Sequence, residues 1–327
     1  MAQTYLIDKN GQQYVRKEVG GDKFLGIDKL KKQLDWIIAL DKDLASQFPQ
    51  IIDYNFDNCN YGYYDMTFHD MSTLHRYIIN QGQIDTGIEN ILYQMMLFGS
   101  ELAKQEVKSN KCQINYIVND HINKMLKRCS DVKNEDFNKI LNNKKLVING
   151  KEYLNLKELI NLLYKNDKLI TFLAPQKWSI SHGDFTLQNI LTDGQNFKII
   201  DPRGEGEDSI YYDISKLLQS CHGKYDLMYE GNYQCQYNLI DSTINYKFFN
   251  NEALFDQIYD IIKKLIPITY GKLEKHWYLK ALFYEASHFI SMVPFRYKEN
   301  LEITILCYAI GIKLLNEVLE EWKKIKN

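Results

Sequence analysis

The sequence predicts a two-lobed α+β fold, with a small β-rich amino-terminal lobe over residues 1–68 and a larger, mainly helical lobe over residues 69–327. Three observations predict it. Turn signals and β-branched or aromatic runs crowd the first 68 residues, and helical periodicity dominates from Ile84 onward. The 327 residues exceed one ordinary core, yet no Pro/Gly-rich linker divides them, so the lobes are expected to meet at a short hinge near residues 66–70.

Taken in order, residues 4–7 and 13–19 flank the turn signal Asp8-Lys9-Asn10-Gly11, a hairpin whose second strand carries Lys17. Ile27, Leu30, Leu34, Ile37 and Ile38 then recur at helical spacing, with Gly26 or Asp28 as the cap. Residues 50–55 and 61–68 read as strands, and a helical stretch begins near Ser72. Ile84, Ile88, Ile91, Leu92 and Met95 mark one apolar helix face; Ile114, Ile117, Val118, Ile122, Met125 and Leu126 mark another. Within residues 146–153 the Asn149-Gly150 pair suits a type I′ turn, and residues 189–200 form a second hairpin. Helices resume near Tyr212 and run to Trp322, with a break at residues 291–295 around Pro294.

Composition narrows the function. A formal charge of −2 supplies no field for a polynucleotide, and no Lys/Arg run carries interleaved aromatics, so a nucleic-acid partner is not expected. No apolar stretch approaches the ~18 residues that span a bilayer, so no membrane insertion is expected. The amino terminus lacks a basic segment followed by an apolar run, which makes the cytoplasm the expected compartment. The six cysteines, Cys59 among them, show no C-x-x-C spacing and read as reduced thiols.

The chemistry concentrates in Ser181-His182-Gly183-Asp184-Phe185-Thr186-Leu187-Gln188-Asn189 and the Ile199-Ile200-Asp201 that follows it. Pairing the flanking residues about Asp193-Gly194 brings Asn189 and Asp201 to one open end of the hairpin, roughly 5 Å apart across the ladder. An amide oxygen and a carboxylate held together suit magnesium, which takes its other ligands from water and phosphates. Asp184 enters the same mouth. Phosphoryl transfer needs a carboxylate to orient the attacking hydroxyl and cations to neutralise the phosphates, and the five-residue interval from Asp184 to Asn189 is that of a kinase catalytic loop.

The string H-G-D-x-x-x-x-N, followed by a hairpin and I-I-D, resembles the aminoglycoside phosphotransferase and choline kinase family, small-molecule kinases of the protein-kinase-like fold. The resemblance can be followed over most of the chain. It implies Asp184 as catalytic base, Asn189 and Asp201 as magnesium ligands, His182 as support for the loop and Lys17 as the phosphate-positioning lysine. It also implies ATP as donor, with GTP left open, its adenine edge against the backbone of Tyr64, Met66 and Phe68. The lysine's usual glutamate partner is replaced by Gln33, with Asp35 or Glu18 as substitutes. Where a glycine-rich loop would stand, Asp8-Lys9-Asn10-Gly11 offers a single glycine. Asp213 resembles the structural aspartate of the family's following helix.

The acceptor is expected to be a small molecule. The Asp-Pro-Arg-Gly run resembles the branch linked to bacterial capsule and surface-polysaccharide synthesis, which implies a sugar or sugar derivative and makes Arg203 and Arg296 candidate contacts. Either arginine fits a structural ion pair equally well. Choline, ethanolamine or an aminoglycoside is the alternative, and its cation would call on Glu207 and neighbouring carboxylates. Two other readings stand beside these: a nucleotide-binding scaffold without catalysis, and a metal-dependent hydrolase built on His182, Asp184 and Asp201. The aromatic group Trp277, Tyr278, Phe283, Tyr284 and Phe289 reads as core.

Overall fold

In the computed structural model, which describes residues 2–20, 24–58, 60–271 and 273–326, Asn10 and Gly11 both take the left-handed backbone (φ 58° and 79°). That conformation, tolerated by Asn and Gly, closes the two-residue turn between β1 (Gln3–Lys9) and β2 (Gln12–Gly20). Cys59 lies outside the described residues. Helix α1 (Phe24–Ala39) follows and begins before Gly26 and Asp28, so neither is its cap. Next come the short α2 (Lys42–Ala45), β3 (Ile51–Asn58) and β4 (Tyr61–Thr67). The four strands form one antiparallel sheet in the order β1-β2-β4-β3.

Alternation along β2 assigns its side chains to two faces. Lys17 and Val19 are buried, and Val19 joins Ile27, Leu30, Leu34, Tyr64 and Met66 in a core beneath α1. Arg16 and Asp65, opposite each other across the β2/β4 ladder, form a two-pronged ion pair at 2.7 and 2.9 Å. The sequence expectations for these strands hold within two or three residues.

Strand β5 (Ser72–Thr73), α3 (Leu74–Gln81) and α4 (Thr86–Lys104) complete this stretch. Asp85 caps α4 by accepting from the Ile88 N–H at 2.8 Å, and Ile88, Ile91, Leu92 and Met95 line its buried face as the periodicity predicts. The chain then forms α5 (Gln113–Asn115), a π-helical stretch at Tyr116–Asn123, α6 (Lys124–Ser130) and α7 (Glu135–Asn142). The predicted hairpin appears as β6 (Lys145–Ile148) and β7 (Lys151–Leu154), with Asn149 and Gly150 left-handed. Helices α8 (Leu156–Tyr164) and α9 (Asp167–Leu173) follow.

The second predicted hairpin, β8 (Ile190–Thr192) and β9 (Phe197–Ile199), joins β5 in a three-stranded sheet of order β5-β8-β9. Beyond it lie α10 (Ile210–Cys221) and α11 (Tyr225–Tyr229). The helical expectation then fails over residues 233–248, which form β10 (Tyr233–Asn238) and β11 (Thr243–Phe248). Strand β11 pairs in parallel with β6, giving a sheet of order β10-β11-β6-β7. The chain ends in α12 (Glu252–Thr269), α13 (Trp277–Arg296) and α14 (Leu301–Lys326).

The expected break at Pro294 does not occur, because α13 runs through it to Arg296. Proline there removes one N–H from the helix ladder, and the carbonyl it would have served, that of Ile290, faces the Cys129 thiol at 4.0 Å. Residues 279–290 of α13 are buried without interruption, the pattern of a central helix, and they include Phe283, Tyr284 and Phe289.

These elements divide into two compact units: Met1–Val107 with Ser179–Asp213 and Ile261–Gly271, and Lys108–Trp178 with Ile214–Asp260 and Lys272–Asn327. The first contains Lys17, Asp184, Asn189, Asp201 and Asp213. Among the described residues no helix is long and apolar enough to cross a membrane.

Candidate active site

Strand β2 carries Lys17 inward. The residue is 6% exposed, and its ammonium donates to Gln33 Oε1 at 3.0 Å and to Asp201 Oδ1 at 2.6 Å. Gln33, the partner the resemblance implies, is therefore in place, and neither Asp35 nor Glu18 substitutes for it: Asp35 pairs with Lys31, and Glu18 accepts from the Tyr61 hydroxyl. Lys17 lies opposite Thr4 and Tyr64, whereas the Asp8–Gly11 turn lies five ladder pairs away, about 17 Å at the rise of a strand. That turn stands at the far end of the sheet from Lys17, so it cannot take the place of a phosphate-covering loop.

The hairpin delivers Asn189 and Asp201 to the same open end, in the register that pairs residues 189–192 with 197–200. The Ile200 N–H bonds to the Asn189 carbonyl at 3.0 Å, which leaves Asp201 one position beyond. Asp193 accepts from the N–H groups of both Gln195 and Asn196, closing the four-residue connection over 193–196. Asp201 itself is left-handed (φ 58°), an uncommon state for a non-glycine residue and one that accumulates at functional sites. Its carboxylate is 44% exposed.

Asn189 donates through Nδ2 to the Asp184 carbonyl at 2.8 Å and to its carboxylate at 3.0 Å. The amide thereby fixes Asp184 and leaves its own oxygen as the acceptor end. Asn189 Oδ1 and the Asp201 carboxylate make a hard-oxygen pair, which suits magnesium shared with phosphates. Among the described residues no group of three or more His, Cys, Asp or Glu is arranged to hold a metal.

Two groups brace the loop. His182 Nδ1 accepts from the Asp184 N–H at 3.2 Å and Nε2 lies 2.9 Å from the Ile200 carbonyl, so the ring is neutral with its proton on Nε2. Both nitrogens being engaged, His182 has none to give a metal, which removes a ligand from the hydrolase reading. Asp213, in the first turn of α10, accepts from the N–H groups of His182 at 2.7 Å and Gly183 at 2.8 Å. Beneath the loop, His182 stacks on Phe48 (6.3 Å, 14°) and meets Trp36 and Phe185 edge-on or tilted. This aromatic bed, drawn from α1, the chain after α2 and the loop itself, has no local sequence signature.

Burial holds the His182 pKa down at about 4, against its ordinary 6.5. Since the folded value is depressed, the unfolded chain binds the proton first as pH falls. The contribution is full above about pH 6.5 and is lost as pH drops toward 4, by about 2.5 kcal/mol at pH 4.5. Urea unfolding of wild type and His182→Gln at pH 7 and 4.5 is expected to show the stability gap closing by about that amount, and parallel pH curves would remove His182 from the acid sensitivity.

The candidate acceptor residues are arranged less favourably. Arg203 donates to Asp208 at 2.7 Å, lies over the Tyr212 ring at 4.4 Å, and places Nε 2.9 Å from Glu205 without the alignment of a hydrogen bond. Burial opposes its charge, but Tyr212, Asp208 and Glu205 outweigh burial and hold its pKa up. Arg296 pairs with Glu299 at 2.6 Å and donates to the Tyr225 hydroxyl at 2.9 Å. For both arginines the structural ion pair is the role formed. Glu207 is half-buried in the segment between Arg203 and Asp208. Of the hinge residues, Tyr64 and Met66 are ladder-paired on both sides and 1% and 8% exposed, so the strand consumes the backbone groups expected to meet adenine. Phe68, just past β4 and 36% exposed, lies outside the ladder.

Close approaches lock this region. A Cβ on Gly183 (φ 79°) would come within 2.6 Å of Arg203 Cβ, and one on Gly204 (φ 75°) within 2.7 Å of the Gln33 nitrogen. The segment after Asp201 thus seats on the α1 backbone at the residue that holds Lys17.

No protein-family model and no curated protein matches the sequence. Solved structures do. A glucosamine kinase bound to glucosamine, ADP and phosphate is similar with a TM-score of 0.56 at 10% identity, over 96% of this chain and 76% of that one. A choline/ethanolamine kinase family protein from Mesorhizobium loti gives 0.53 at 9% identity, over 97% and 88%. A choline kinase from Cryptosporidium parvum gives 0.50 at 12%, over 99% and 91%. The α+β fold of this chain is therefore that of the protein-kinase-like small-molecule kinases.

Proposed function

We infer that the chain is a phosphotransferase that moves the terminal phosphoryl group of ATP onto a hydroxyl of a small molecule. The observation that carries this reading is the Lys17–Asp201 contact, which brings a buried cation from the amino-terminal sheet to the carboxylate beside Asn189 and Asp184. Asp184 orients the acceptor hydroxyl and takes its proton. Asn189 fixes the Asp184 carboxylate, and Lys17 neutralises phosphate oxygens. Magnesium, held by Asp201 and the Asn189 amide oxygen, would supply further charge neutralisation on those oxygens. The rest is positioning. Adenine is assigned to the segment at Phe68, with GTP as the other candidate donor.

With Arg203 and Arg296 held in ion pairs, the acceptor assignment rests on hydroxyl chemistry. A sugar or sugar derivative of surface-polysaccharide synthesis comes first. Choline, ethanolamine or an aminoglycoside comes second, with Glu207 as the partner of its cation. ADP release by the full chain, with ATP and magnesium, is expected to depend on one class within a panel of hexoses, amino sugars, amino alcohols and aminoglycosides. Nucleotide-dependent thermal stabilisation without turnover on any acceptor would favour the scaffold reading, and no nucleotide effect at all would defeat both.

A further inference from the structure

Helices α6, α7 and α8 frame a concavity of about 350 Å³ in the second compact unit, where none of Lys17, Asp184, Asn189 and Asp201 lies. That volume is at the small end of ligand pockets. Three lysines line it: Lys127 on α6, Lys133 in the connection to α7, and Lys157 in the first turn of α8. Among the described residues no carboxylate lines it with them. The Lys133 ammonium donates to the Ser130 carbonyl at 3.0 Å and that of Lys157 to Asn142 Oδ1 at 2.6 Å, both neutral acceptors. The Lys127 ammonium bonds to no described residue. Neighbouring lysines are treated differently by the fold: Lys139 pairs with Asp136 at 3.3 Å and Lys145 with Glu152 at 2.6 Å. In a chain of net charge −2, one concavity thus gathers three positive charges that no carboxylate offsets. Like charges around a concave wall repel one another and focus their field into the space between them, and an anion placed there relieves the repulsion.

We propose that this concavity is a binding site for a small phosphorylated organic anion, of the size of a hexose phosphate, separate from the candidate active site. A phosphate monoester carries close to two negative charges and three terminal oxygens, which matches three ammoniums; a carboxylate, with one charge and two oxygens, would leave one ammonium unused. The remaining lining suits the organic part. Leu126 and the buried Leu141 give an apolar floor that free phosphate does not use. Ser130 Oγ donates to the Lys127 carbonyl at 2.8 Å and keeps its oxygen as an acceptor, and Asn142, its oxygen taken by Lys157, keeps its amide N–H groups as donors. A sugar hydroxyl can meet both. The class includes the product of the reaction proposed above, but binding here does not depend on that reading.

Calorimetric titration of the full-length chain with glucose 6-phosphate, glucose and inorganic phosphate, at about 0.15 M salt, tests this. The proteins compared are wild type, Lys127→Gln and the triple variant Lys127→Gln, Lys133→Gln, Lys157→Gln. Wild type is expected to bind glucose 6-phosphate at least about 10-fold more tightly than glucose or inorganic phosphate. Each exposed ion pair contributes about 3-fold, so the single variant should lose about that much affinity and the triple variant at least about 10-fold. All three positions are exposed, and Lys127→Gln removes an ammonium that bonds to nothing in the protein, so that variant keeps the test open even if the triple variant folds poorly. ADP, titrated in parallel, reports on the phosphotransferase reading alone, and its affinity should stay within about 2-fold of wild type in both variants. Equal affinity for glucose 6-phosphate in wild type and the triple variant would place any binding elsewhere and overturn the proposal. Equal wild-type affinity for glucose 6-phosphate and inorganic phosphate would overturn the assignment to an organic anion, and failure of wild type to bind glucose 6-phosphate would show three solvated lysines and no site.

Discussion

Asp184→Asn is expected to lower turnover by at least about 100-fold while nucleotide affinity stays within about 3-fold of wild type. The substitution is nearly isosteric, and the oxygen of the introduced amide can still accept from Asn189 Nδ2, while the second bond from that nitrogen goes to the backbone carbonyl and is untouched. The loop therefore keeps its shape. What it loses is the negative charge that orients a hydroxyl and receives its proton, a role needed more in the transition state than in the ground state. The effect should fall on kcat, with the acceptor KM little changed, in steady-state assays on the acceptor found in the panel. Turnover near wild type would show that Asp184 is not the base.

Asp213→Ala is expected to destabilise the protein by about 2–6 kcal/mol, because the His182 and Gly183 N–H groups lose their acceptor in a buried place and each such loss costs about 1–3 kcal/mol. Burial pushes the Asp213 carboxyl up to about 7, with those two amides pulling the other way, so the site tolerates a neutral side chain better than an empty one. Asp213→Asn, which keeps one acceptor, should recover about half of the loss. Chemical denaturation of the three proteins at pH 7 measures this, and the ordering wild type, Asn, Ala is the result to look for. Equal stability of Asp213→Ala and wild type would mean that the two amides find other partners.

Legibility in the sequence followed the range of the interaction. The H-G-D loop, Asn189 and Asp201 lie in or next to one hairpin, so spacing located them, and the pairing of residues 189–192 with 197–200 is the register found. Lys17 and Gln33 were reached through the family resemblance, which pairs a strand lysine with a residue of the next helix, and the 3.0 Å contact bears that pairing out. The bed of Trp36, Phe48 and Phe185 was not, since it joins elements whose proximity only tertiary packing decides. Arg203 was singled out as a candidate acceptor contact, but its ties to Asp208 and Tyr212 depend on a tight fold after Asp201 that residue type does not announce. Strands β10 and β11 were lost for a related reason. Tyr233, Cys235 and Tyr237 of β10 alternate with polar residues as a strand should, yet the sheet that the β10/β11 hairpin joins is reached through β11 pairing in parallel with β6, about a hundred residues earlier.

The unit that carries Lys17 and Asp201 is assembled from three separate stretches of chain, and this dictates the order in which the molecule can be built. The Lys17–Asp201 contact spans 184 residues, so on an emerging polypeptide it cannot form until the catalytic hairpin has been made, long after the residues of the amino-terminal sheet. Closure entropy is spent before such a distant contact returns it, which slows its formation. Both edges of that sheet, β1 with Tyr5 and Leu6 41% and 51% exposed and β3 with Ile52 and Tyr54 42% and 55% exposed, are open to mispairing during that interval.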